Sequence, residues 1–144
     1  MQCNAYLTIY NMYVDAPTRS EKWQRTQVLS PVTGRYSVVW NNMKGSNVNR
    51  SGRVDSNQAT IYIPLTSGAN YVKPRTWQAL SVKTGFFTLQ QGAIVVSGLV
   101  TDELTDVFTA VDLRAKYDDV LEIKQVDWQG QGSSALQHWE VGAQ

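Results

Sequence analysis

The sequence predicts a mainly β domain: a small β-barrel or sandwich with short helical segments and one long polar loop. Short runs of β-branched and aromatic residues recur at roughly ten-residue spacing, separated by Gly, Pro and Asn. The last quarter reads as two strands, residues 118–128 and 135–141, joined by a Gly/Ser-rich turn whose glycines tolerate positive φ. Helical patterning is confined to brief stretches, the clearest being residues 73–80 with Pro74 near the first position.

In order, residues 5–14 alternate loosely and form the first strand, with Ala5, Leu7 and Ile9 on one side and Tyr6, Thr8 and Tyr10 on the other. Pro17 breaks the ladder, and residues 21–29 supply a second strand around Trp23 and Val28. After a break at Pro31 and Gly34, residues 35–40 read as a third, with Tyr36, Val38 and Trp40 together. Residues 41–58 are rich in Asn, Ser and Gly, and are expected as a long polar loop of the kind that is functional or mobile.

Residues 59–65 give the cleanest alternation: Ala59, Ile61, Ile63 and Leu65 face one way, and Pro64 marks an edge position or the strand's end. Residues 86–90 and 93–100 are further strands, the latter interrupted at Gly98, with an acidic link at 101–105. Residues 107–110 read as a brief strand, and Asp112 as the cap of a helical turn over 113–117. In the final strand Trp139 and Val141 share one face, so they are expected, with Ile61 and Ile63, in the core or at strand interfaces.

A chain of 144 residues is one domain, 1–144, large enough for a single core. No apolar run approaches the roughly 18–20 residues of a membrane span, and residues 1–10 lack the pattern of a secretory signal. The single cysteine, Cys3, excludes an internal disulfide and points to synthesis in a reducing cytosol. With His138 the only histidine, a histidine-rich metal cluster is excluded, and no metal or cofactor is expected. Phosphate-binding glycine loops and the G-x-S-x-G elbow are absent from the sequence.

The adjacent carboxylates Asp118 and Asp119 would point to opposite faces of a strand, which favours a turn over a catalytic pair. No catalytic residue is assigned, and the chain is expected not to be an enzyme. Five tryptophans offer material for a stacking platform, but their spacing does not select that use over cores or interfaces.

Charge is split along the chain. Residues 1–99 hold ten Lys/Arg and three Asp/Glu, a net +7, whereas residues 100–144 hold three and nine, a net −6. Opposite flanks of this kind would let copies associate head to tail; interleaving by strand pairing is the alternative.

The C-terminal pattern, residues 117–127 followed by a glycine-serine turn and Leu136-Gln137-His138-Trp139-Glu140-Val141-Gly142-Ala143, resembles the head–tail connector or head-closure (stopper) proteins of tailed bacteriophages. Thr8-Ile9-Tyr10-Asn11, Trp23-Gln24-Arg25-Thr26 and residues 87–98 are similar to the same group. The resemblance implies a structural virion protein of the phage neck, made in the bacterial host cytoplasm. It implies a homo-oligomeric ring between portal and adaptor proteins above and tail proteins below. Stopper-type proteins hold packaged DNA with loops that enter the channel, and residues 41–58 match that role in length and polarity. Lys44, Arg50 and Arg53 are the expected non-specific contacts to phosphate. The alternatives are a carbohydrate-binding β-sandwich presenting exposed tryptophans, another neck or tail protein such as a tail terminator, and a small hydrolase using Asp118 or Asp119.

Overall fold

The computed structural model describes residues 2–15, 17–49, 52–133 and 135–144, with residues 43–49 and 52–57 described by their backbone. Its seven strands are β1 (Leu7–Val14), β2 (Glu21–Val28), β3 (Val39–Asn49), β4 (Gly52–Pro64), β5 (Ile94–Ser97), β6 (Val120–Gln129) and β7 (His138–Ala143). They form one antiparallel sheet in the order β2-β1-β5-β6-β7-β4-β3. Two short helices, α1 (Pro74–Ala79) and α2 (Ala110–Lys116), and a 3-10 turn, Leu65–Gly68, complete the regular structure. The fold is therefore mainly β, as the residue pattern requires.

The sheet bends on itself without closing into a barrel. β6 pairs with β5 through Val120–Glu122 and then with β7, and its register shifts between Ile123 and Gln125. A bulge of this kind bends the strand and turns the second half of the sheet over the first. One bridge, Ala5 to Val38, joins the chain ahead of β1 to the chain ahead of β3. Beside it the carboxamide of Asn4 accepts from the Trp40 N–H at 2.8 Å and donates to the Trp40 carbonyl at 3.3 Å. A carboxamide carries the same donor and acceptor as a peptide group, so Asn4 stands where a further strand residue would.

The main core lies between the two halves. Cross-strand partners Ile61 with Val141 and Ile63 with Trp139 are buried there, with Leu7, Ile9, Val38, Phe87 and Ile123. A one-residue slip between β4 and β7 would turn this set outward, so the core fixes the register. A second apolar layer covers the outer face: Tyr10, Ile94 and Val96 pack under Val100, Leu104 and Leu113. Residues 98–109 form a strap over β1, anchored where the Thr8 hydroxyl donates to the Gly98 carbonyl (2.7 Å) and accepts from the Val100 N–H (2.9 Å). Burial on both faces explains the weak alternation of β1, whose residues Leu7 to Asn11 are all inaccessible.

Three local expectations are corrected. Residues 107–110 are not a strand: Thr109 is the N-cap of α2, and Asp112 is the N3 residue that reaches back to it, a reciprocal capping box. Residues 86–90 make one bridge, Phe87 to Tyr71, rather than a strand. Of residues 35–40, only Val39 and Trp40 belong to β3, and Tyr36 is exposed. By contrast α1 begins with Pro74 at its first turn, and its Trp77 is fully buried with Nε1 donating to the Phe86 carbonyl at 3.2 Å.

Candidate functional site

Residues 41–58, expected as a loop, are most of a hairpin. β3 and β4 pair without interruption from Val39 opposite Tyr62 to Asn49 opposite Gly52. β7 accompanies β4 from Ala59 to Pro64, so, among the described residues, 52–58 have β3 alone as their strand partner. At about 3.3 Å per residue, those residues carry a two-stranded ribbon roughly 23 Å beyond the sheet. The correction has a clear cause. Asn and Gly are depleted in strands and the segment shows no apolar alternation, yet two such strands can satisfy one another's backbone groups. Lys44 lies opposite Asn57 and Arg53 opposite Val48, whereas Arg50 lies outside the described residues.

The four expected core positions, Ile61, Ile63, Trp139 and Val141, are all buried. The Trp139 ring sits 4.6 Å from Tyr71 and 4.8 Å from Trp128, centroid to centroid. It lies so close over Gly68 that any Cβ there would overlap it. Trp40, Trp77 and Trp139 are buried and Trp23 is half-buried, leaving Trp128 as the exposed tryptophan, at 48%. The five rings therefore do not make one stacking platform.

Asp118 and Asp119 are exposed between α2 and β6, at a turn. The His138 Nδ1 lies 3.0 Å from the Leu136 carbonyl, and its ring meets Tyr62 edge-on. Cys3 is half-buried, and burial pushes its thiol pKa up, away from the reactive thiolate. Among the described residues no group of three His, Cys, Asp or Glu is placed to hold a metal ion, and no helix is long and apolar enough to cross a membrane.

A second surface was not foreseen. Between the start of β2 and the strap lies a groove of about 530 Å³, with Tyr13, Trp23, Leu104 and Ala110 as its apolar lining and Glu21, Glu103 and Asp106 as its carboxylates. Behind it Asp102 accepts from the Tyr117 hydroxyl at 2.5 Å and pairs with Lys116 at 3.1 Å, and these bonds hold its carboxyl below the usual carboxylate range. Tyr10 donates its hydroxyl to the Asp102 carbonyl at 2.7 Å, and burial pushes the phenol pKa far up. The acidic link at 101–105 was the sole trace of this arrangement in the sequence, because β2, the strap and α2 meet only in the folded chain.

The two charge halves do not form two flanks. The acidic C-terminal quarter contributes β6 and β7 to the middle of the sheet, and Arg25 pairs across the halves with Glu103 at 2.7 Å. Strand pairing interleaves the signs.

Fold and surfaces together define a mainly β domain with a projecting ribbon and an acidic, apolar-lined groove. The chain belongs to the family described as "Family of unknown function (DUF6751)", which matches it over residues 2–144. No curated protein and no solved structure matches the chain.

Proposed function

We propose that the protein is a structural component of a tailed-phage neck, a head-closure or connector subunit that assembles as a ring between head and tail. The observation that carries this reading is the ribbon: a small β body extends one hairpin roughly 23 Å past its own sheet, where the body offers it no strand partner. A long arm on a compact subunit suits a ring whose copies must reach a shared axis. In such a ring, Lys44, Arg50 and Arg53 from many copies gather around packaged DNA and contact phosphate without reading bases. The stretches that resemble connector proteins supply the body that would hold the arm: parts of β1 and β2, residues 87–98 with β5, and the β6–β7 hairpin.

On this reading the chain has no catalytic role, its neighbours are portal or adaptor proteins above and tail proteins below, and its place is the virion neck. The test is location. In particles of a phage whose genome encodes the chain, an affinity tag at its C-terminus should label a ring at the head–tail junction by electron microscopy. Particles that carry the label on the tail fibre or capsid shell, or not at all, would contradict the assignment.

A further inference from the structure

Two exposed surfaces at opposite ends of β2 complement one another. The first is the turn of residues 29–36 that follows β2. Leu29, Val32 and Tyr36 are each at least half exposed there, and Arg35 is the sole charged residue of the turn. Its shape is set by local contacts: Gly34 takes φ +82°, the Arg35 N–H donates to the Val32 carbonyl at 3.3 Å, and the Tyr36 ring rests on Tyr6 at 4.9 Å. Among the described residues the Arg35 side chain has no hydrogen-bond or ion-pair partner. This turn, termed the knob, is mostly apolar, carries one cation unpaired among the described residues, and borders a hollow shared with Gln2, Cys3 and Thr66.

The second is the groove at the start of β2. Beside its lining lie further exposed apolar residues, Val14, Val107 and Val111, with Val107 92% exposed. Lys22 of the groove is engaged by Asp15 at 3.4 Å and Glu103 by Arg25, which leaves Glu21 and Asp106 without ion pairs among the described residues. The groove is apolar with free carboxylates, the complement of the knob in both respects.

Val28 pairs with Leu7 and Glu21 with Val14, so knob and groove are separated by the length of β2, about 23 Å at 3.3 Å per residue. One copy cannot fill its own groove. We propose that the 29–36 turn of one copy seats in the β2–strap groove of the next, with Arg35 meeting Asp106 and Glu21. This contact is heterologous, and it builds a ring when the rotation between copies closes. It rests on the ring reading above, supplies the subunit interface that reading needs, and leaves the ribbon free.

The test uses the full chain and two exposed-site variants, Arg35→Glu and Asp106→Arg, each checked for an unchanged melting transition. Assembly is followed by sedimentation velocity over a concentration series. Each variant alone should raise the concentration for half-assembly by more than about tenfold, because like charges then face one another. An equimolar mixture of the two should recover assembly, since each knob then meets a groove of opposite sign. Val32→Asp should weaken assembly as a second, independent disruption of the knob. If the wild-type chain assembles and these variants assemble equally well, or if the mixture recovers nothing, the contact is wrong while the ring reading stands. A wild-type chain that remains monomeric at every concentration overturns the contact, and labelling of the head–tail junction then decides the ring reading separately.

Discussion

Asn11 and Thr88 are joined at both ends of one peptide-like pair: the Asn11 Nδ2 donates to the Thr88 carbonyl at 2.8 Å, and its Oδ1 accepts from the Thr88 N–H at 3.1 Å. Both residues are fully buried. The carboxamide does for residues 86–90 what a neighbouring strand would do, which is why a segment without a ladder is held so deep. Asn11→Ala should destabilise the protein by about 2–4 kcal/mol, because two buried backbone groups lose their partners together. Asn4→Ala, at an exposed residue whose bonds to Trp40 are only partly buried, should cost about 1 kcal/mol. Urea denaturation of the two variants checks the order, and a larger loss for Asn4→Ala would contradict it.

Trp139 and Gly68 should behave as one unit. Trp139→Ala should cost roughly 3–5 kcal/mol, as for other buried aromatic truncations. Gly68→Ala should also destabilise, since its Cβ overlaps the Trp139 ring. In a Trp139→Leu background the same glycine substitution should cost much less, so the double-mutant cycle should be non-additive. Additive losses would show that the ring and the glycine do not share the space.

Stability should fall at both pH extremes for identifiable reasons. The folded pKa of Asp102 is lowered by Tyr117 and then Lys116, so its contribution is present above the unfolded carboxylate value of 3.8 and is lost as pH falls through the lower, folded value. Tyr10 is raised, chiefly by burial, so its contribution is present below the unfolded phenol value of 10.0 and declines as pH rises above it. Tyr10→Phe should cost about 1 kcal/mol at neutral pH through its lost hydrogen bond, and should flatten the decline above pH 10.0. Urea midpoints measured across pH report both slopes. An unchanged alkaline slope in Tyr10→Phe would remove Tyr10 from that account.

Removing residues 135–144 should abolish folding rather than trim a terminus. β7 lies inside the sheet, between β6 and β4, and carries Trp139 and Val141 into the core. Its loss leaves two strands with open inner edges and a core open on one side. A truncated chain with a cooperative melt at the original temperature would contradict this.

The alternating strands were legible because period-two burial leaves a direct mark, as at Ile61, Ile63, Trp139 and Val141. α1 was legible from Pro74 and the Trp77 spacing. The ribbon was not, since backbone pairing alone defines it and its Asn, Ser and Gly residues read as loop. The clamps made by Asn4 and Asn11 left no local signal either: each asparagine acts on a residue far along the chain, Trp40 and Thr88. The groove was hidden for the same reason, being assembled from β2 and residues roughly 80 positions later, as the Arg25–Glu103 pair illustrates. The charge asymmetry was real in sequence and misleading in space, because β6 and β7 insert into the sheet's centre.

If the ribbon helps close the DNA channel of an assembled ring, as proposed above, shortening it should release packaged DNA. Lys44 faces Asn57 across the hairpin, so residues 45–56 can be replaced by an Asn-Gly turn that joins the two strands at that pair. The body keeps its core, knob and groove, so the variant should melt as the wild type does and assemble to the same size. Filled heads carrying it should lose DNA before tails attach, measured as nuclease-accessible DNA and as the yield of infectious particles. Heads that retain their DNA normally and give full infectivity with the shortened ribbon would contradict the account.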